Sequence, residues 1–161
     1  MAAEAGTDGD TEPETLTERR RALMGLLAGA HVGELASAWA AIARQPAYRV
    51  IRAPETGLVM LRGRAGGGGK PFNLGEATVT RAVVALETGE TGFAYALGRD
   101  KKKALFSALF DALWQRADHR DAVETLLARP LAEARRKADA ETKSETTATR
   151  VDFFTMVRGE D

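Results

Sequence analysis

The chain has 161 residues, 44% of them hydrophobic, and its 23 basic side chains are balanced by 23 acidic ones. That length fits one domain with a modest core, and a formal net charge of zero provides no global field for gathering nucleic acid or an anionic membrane, so neither is expected as a partner. Cysteine is absent, which excludes disulfides, thiolate nucleophiles, Cys-ligated zinc and Cys-held iron–sulfur clusters.

Residues 1–18 hold six acids and no base, interspersed with Gly, Thr and Pro, so 1–15 is expected to be a disordered acidic tail ahead of one domain over 16–161. There is no basic n-region and no apolar run at this end. No later stretch approaches the roughly eighteen apolar residues of a membrane span, and a cytoplasmic protein is expected. Thr15 and Glu18 have capping-box spacing ahead of Leu23, Met24, Leu26, Leu27 and Ala30, which predicts a first helix. A second carries Leu35, Trp39 and Ile42 on one stripe and stops before Pro46.

The texture then becomes that of strands. Tyr48 to Arg52 and Leu58 to Arg64 are expected as a hairpin around Pro54-Glu55-Thr56-Gly57, followed by a long glycine-rich connection from Gly63 to Gly75. Ala77 to Leu86 and Phe93 to Leu97 complete a four-stranded antiparallel meander. From Asp100 the period is helical again: Leu105, Leu109, Ala112 and Leu113 form a stripe that Phe106, Phe110 and Trp114 widen, so this helix is expected to be buried. Pro130 suits a first helical position and opens a polar helical arm to about Arg150. Val151 to Val157 is apolar, and an ordered C-terminus is expected. The fold class is α+β: an N-terminal helix pair, the meander, the long buried helix, the arm and the apolar C-terminus.

The glycine run Gly63 to Pro71 invites comparison with a phosphate loop. A Walker A motif would need Gly where Arg64 stands and Ser or Thr where Pro71 stands, and it would open a helix instead of joining two strands. Consecutive glycines still let backbone amides approach a ligand or another chain, against the plainer reading of a flexible loop. Arg62 and Arg64 point to one side of their strand, and Arg81 lies between Val79 and Val83 on the next. If these strands pair across the loop, three guanidinium groups crowd together. That arrangement favours a phosphate or carboxylate ligand, and the alternative is structural pairing with Glu55 or Glu76.

Arg99, Asp100 and Lys101 to Lys103 stand where a helix begins. Asp100 is a sensible cap, whereas cations at the positive end of the macrodipole are unfavourable unless an anion docks there or water solvates them. Residues 44–103 hold eleven bases and five acids, a local excess that the neutral total conceals. His31 and His119 each lie near a helix end and are read as capping or surface residues. Asp111, Asp118 and Asp121 have no His or Glu at metal spacing and are read as solvated. No catalytic residue and no metal ligand is assigned.

The strings VIRAPETGLVMLRGRAG, KPFNLGEATVTRAVV, GFAYALGRDKKKALFSALFDALWQ and RVDFFTMVRGED occur in order. Together they resemble the PhnG family of carbon–phosphorus lyase subunits over about residues 16–161. This chain departs from the usual family pattern at Ala82, where some relatives carry Cys, and in having four consecutive glycines. The resemblance implies a core complex with PhnH, PhnI and PhnJ, two copies of each. It also implies an early step, shared with PhnI, PhnH and PhnL, in which a phosphonate displaces adenine from ATP to give a ribose 1-phosphonate 5-triphosphate. Nucleosidase chemistry falls to PhnI, so this chain is expected to be an accessory subunit without activity of its own. No bound cofactor is expected, and MgATP is the co-substrate of the complex. A chain without Cys cannot be the radical subunit.

Two roles follow as expectations. In the first, Phe153, Phe154, Met156 and Arg158 dock on a sister subunit, since leaving two Phe and a Met in water forfeits roughly 1.5 to 3 kcal/mol of burial each. In the second, an anion- or nucleotide-triphosphate-binding module, Arg62, Arg64, Arg81, Arg99 and Lys101 contribute charge to a shared substrate site.

Overall fold

The structure, a computed structural model, describes residues 15–64 and 68–148. The first helix, α1 (Leu16–Gly29), begins as its sequence dictates. The Thr15 Oγ1 accepts from the Glu18 N–H at 3.3 Å, and the Glu18 carboxylate accepts from the Thr15 N–H at 2.8 Å, so two N–H groups that a helix start leaves unpaired are satisfied. Glu34 likewise accepts from the His31 N–H at 2.8 Å at the start of α2 (Val32–Ala41).

A long hairpin follows. β1 (Tyr48–Arg64) and β2 (Pro71–Leu86) are antiparallel partners, and β3 (Thr91–Leu97) pairs with the second half of β2. The described residues therefore form a three-stranded sheet in the order β1-β2-β3, not the expected four strands. Pro54 to Gly57 is no turn. Glu55 pairs with Arg81 and Thr56 with Thr80, and the extra residue at Pro54 is absorbed by a bulge between Arg52 and Glu55. Proline is tolerated there because β1 is an edge strand at a bulge. The glycine connection is correspondingly shorter than expected, since Pro71 to Gly75 belong to β2. Gly75 has φ of 153° beside a further irregularity at Leu61 and Arg62, a backbone angle that favours glycine.

Helix α3 (Lys101–Gln115) covers the inner face of the sheet. Asp100 caps it by accepting from the Lys103 N–H at 2.9 Å. Leu109, Phe110, Leu113 and Trp114 are buried against Ala82, Val84, Leu86 and Ala94 of the sheet and Leu23, Leu27 and Leu35 of α1 and α2. The contact with β3 is close because Gly92 has no side chain: a Cβ there would lie 1.9 Å from the Ala108 carbonyl oxygen. Gly92 thus lets strand backbone and helix backbone meet.

Asp111 was expected in water and is instead fully buried. Its carboxylate accepts from Arg20 Nε and Nη2, both at 2.8 Å, and from the Phe93 N–H at 2.9 Å, joining α1, α3 and β3. The paired, fully hydrogen-bonded geometry is what makes a buried carboxylate tolerable. Pro130 does not start a helix. α4 (Ala117–Val123) runs through a π turn (Glu124–Ala128) into α5 (Arg129–Ala148), with Pro130 as its second residue. Proline has no N–H to donate, and the wide turn ahead of it interrupts the α ladder at that point. Glu124 in the π turn accepts from Trp114 Nε1 at 2.8 Å and Arg19 Nη2 at 3.0 Å, fixing this corner to the body. Beyond Ala132 the side chains of α5 that are described are exposed.

Candidate interaction surface

β3 ends at Leu97, opposite Val79, and the chain turns away at Gly98, whose N–H donates to the Thr78 carbonyl at 2.9 Å. From Gly57 and Thr78 outward, β1 and β2 therefore continue as a two-stranded arm. The seven residues from Leu58 to Arg64, six rises of strand, carry it about 20 Å further.

Side chains of directly opposed residues share a face, so the pairing register sorts the arm into two. Gly57, Val59, Leu61 and Gly63 lie opposite Val79, Ala77, Gly75 and Phe72. Phe72 and Leu74 both reach over Gly63, within 3.7 and 4.0 Å of where its Cβ would be. This outer face is apolar, and it is open: Leu61 is 41% exposed, Phe72 46% and Leu74 65%. It continues onto the uncovered side of the sheet, where Phe93, Tyr95 and Leu97 are also exposed. The inner face, on the α3 side, carries Leu58, Met60, Arg62 and Arg64 opposite Thr78, Glu76, Asn73 and Pro71.

The expected trio of guanidinium groups is not assembled. Arg62 and Arg64 share the inner face as their spacing requires, but Arg81 lies on the outer face opposite Glu55. There Arg81 Nε donates to Glu55 Oε1 at 2.5 Å, and Arg52 Nη1 donates to the same oxygen at 2.8 Å. The Arg81 and then the Arg52 hydrogen bonds hold the Glu55 carboxyl below its usual range, and Glu55 in turn raises Arg81. Structural pairing, the alternative weighed above, accounts for Arg81. Arg64 donates from Nη1 to the Gly69 carbonyl at 3.2 Å and closes the turn. Arg62, Arg99 and Lys101 are exposed and have no ion pair among the described residues. Lys101 begins α3 on the same side of the sheet as Arg62, but Arg62 lies four residues beyond Leu58 at the arm's base, roughly 13 Å along the strand. Phe153, Phe154, Met156 and Arg158 lie outside the described residues.

Elsewhere an open cleft of about 670 Å³ runs between α1, β3 and α5, lined by residues that include Gly25, Ala28, Tyr95, Leu97, Ala134 and Ala138. His31 and Glu34 are at its margin, while His119 lies 3.9 Å from Asp118 on α4. Among the described residues no group of three or more His, Asp or Glu side chains is placed to hold a metal ion. No helix among them is long and apolar enough to cross a membrane. What strand spacing alone did not reveal is the apolar outer face: Val59 and Leu61, and Phe72 and Leu74, alternate visibly, but only the register shows that the two pairs lie together.

The family described as "Phosphonate metabolism protein PhnG" matches residues 18–159. The chain is also similar to a protein of Rhizobium meliloti (strain 1021), "Alpha-D-ribose 1-methylphosphonate 5-triphosphate synthase subunit PhnG", with 57% identity over 155 residues that cover 94% of this chain and 96% of that protein. With the match spanning hairpin arm, buried helix and α5 alike, the chain belongs to the PhnG family of phosphonate metabolism proteins.

Proposed function

We propose that this chain is an accessory subunit of an alpha-D-ribose 1-methylphosphonate 5-triphosphate synthase, acting in phosphonate breakdown in the cytoplasm together with PhnH, PhnI, PhnJ and, functionally, PhnL. In the reaction the bond from ribose C1 to adenine breaks, a bond from C1 to a methylphosphonate oxygen forms, and adenine leaves with a proton. MgATP is the co-substrate, and the groups that break the glycosidic bond belong to a sister subunit.

One observation carries this reading on the structural side: a protruding two-stranded arm presents Leu61, Phe72 and Leu74 to water. A two-stranded ribbon is at best marginally stable alone, and exposed apolar strands invite association, so such an arm makes physical sense when neighbours cover it. The relative of 57% identity is named as a synthase subunit, which supports the same reading. We assign Phe153, Phe154, Met156 and Arg158 to a second contact with a sister subunit. Co-expression with the sister subunits tests both contacts. The full chain should co-purify in fixed stoichiometry, and a chain lacking residues 151–161 should be lost from the complex. Unchanged assembly of the truncated chain would refute the C-terminal contact.

A second reading has one supporting observation, that Arg62, Arg64 and Lys101 share a side of the sheet without ion pairs to acidic side chains among the described residues. In it these residues and Arg99 contribute charge to the triphosphate of the substrate. Titration of the purified chain with MgATP separates the two readings: salt-sensitive binding that Arg62→Ala abolishes favours the site, and no binding at millimolar nucleotide favours the accessory role alone.

A further inference from the structure

The two faces of the arm differ in kind, and the difference restricts what can cover it. The outer face of the arm is apolar through Val59, Leu61, Phe72 and Leu74; the charges on that side lie on the body of the sheet, Arg49 opposite Ala85 and the Arg52, Glu55 and Arg81 cluster, where one carboxylate is shared by two guanidinium groups. On the arm itself the bases without an ion pair among the described residues lie elsewhere, Arg62 and Arg64 on the inner face beside the exposed Leu58 and Met60, and Lys70 at the tip. Over the whole hairpin, residues 48–86, six bases stand against two acids.

A flat surface meets one face of a ribbon. An anionic bilayer could meet the inner face, where exposed Leu58 and Met60 share a side with Arg62 and Arg64, but it would leave Leu61, Phe72 and Leu74 of the outer face in water. A second copy meeting this one outer face to outer face would leave Leu58 and Met60 of the inner face in water, and meeting inner face to inner face would set like charges together. A groove meets both faces at once.

We propose that the arm is clasped in a groove of a sister subunit, one wall apolar against Leu61, Phe72 and Leu74, the other acidic against Arg62, Arg64 and Lys70. This rests on the subunit role proposed above. The apolar wall supplies most of the affinity by desolvation. The acidic wall fixes which way round the arm enters, because turning it over would set charge against the apolar wall.

Two double variants of the full chain separate the walls, each competed against wild type for incorporation into the complex of sister subunits. Leu61→Asp/Leu74→Asp changes only exposed side chains, and circular dichroism with a thermal melt verifies its folding. It should weaken incorporation about a hundredfold at any salt concentration, as expected for lost apolar burial. Arg62→Glu/Arg64→Glu should weaken it about tenfold near 0.15 M salt and much less at 1 M, where exposed charges are screened. Incorporation of both folded variants within twofold of wild type would overturn the groove while leaving the subunit role standing. Failure of the wild-type chain itself to join the complex would overturn that role and the groove with it. Binding of the wild-type chain to anionic vesicles, or dimerisation in sedimentation, that the leucine variant abolishes while still joining the complex would also overturn the groove.

Discussion

The Arg20–Asp111 pair offers a test in which the two halves of one interaction should fail unequally. Asp111 is wholly buried and accepts three hydrogen bonds, two from Arg20 and one from the Phe93 amide, whereas the Arg20 side chain keeps 30% of its surface in water. Replacing Asp111 with Ala lets Arg20 turn outward and regain water, so the ion pair itself counts for little; the Phe93 N–H is orphaned in the core at a cost of about 1–3 kcal/mol, and total destabilisation should be near 3 kcal/mol. Replacing Arg20 with Leu is worse. The carboxylate cannot follow its partner into solvent, and an uncompensated buried charge costs about 3–5 kcal/mol. For a chain of 161 residues, at about 2–4 °C per kcal/mol, Asp111→Ala should lower Tm by roughly 6–12 °C and Arg20→Leu by more. Thermal unfolding followed by circular dichroism, with denaturant titration for the free energies, measures both. A Tm loss of under about 2 °C for Arg20→Leu, or the reverse ranking, would refute the idea that this carboxylate depends on its partner.

Gly92→Ala should destabilise the chain by more than the usual 1–3 kcal/mol of an overpacked core, because the new methyl meets the Ala108 carbonyl and the Ala112 amide, both backbone. Gly57→Ala, whose Cβ meets nothing within 4 Å, is the control, and urea unfolding compares them. Glu124→Ala should cost about 1–3 kcal/mol by leaving Trp114 Nε1 unsatisfied where the π turn is anchored, read as a lower urea midpoint. In acid, Glu18 and Glu55 should contribute instability: Thr15, through its N–H first, and Arg81, ahead of Arg52, hold these carboxyls below the ordinary 4.5. A lowered folded value means stability present above that ordinary value and lost as pH falls through the folded one. Stability should therefore drop below about pH 5, and Glu55→Gln should make that drop shallower; an unchanged pH profile would contradict the assignment.

How much of this was legible in the sequence depends on the range of the interaction. Thr15 with Glu18, and Asp100 with Lys103, are neighbours in sequence, and both helix starts were read correctly. The apolar stripe of α3 was equally plain, because helical period is local. Pro54-Glu55-Thr56-Gly57 misled because its residue types favour turns, while what holds it in a strand is Arg81 and Thr80, more than twenty residues away. Asp111 misled for the same reason: its helix sequence gives no sign of Arg20, 91 residues distant. At the surface, spacing by two placed Arg62 and Arg64 on one side, as found, but not Arg81, whose face is set by bulges that shift the register. The apolar face required that register too, since Leu61 and Phe72 meet only across the hairpin.

The most direct measurement follows adenine release from MgATP and methylphosphonate by the proposed synthase, assembled from its sister subunits with and without this chain. Full activity should require the chain, and the purified chain alone should release no adenine. Steady turnover by the chain alone, or an undiminished rate in its absence, would contradict an accessory subunit that works through its neighbours.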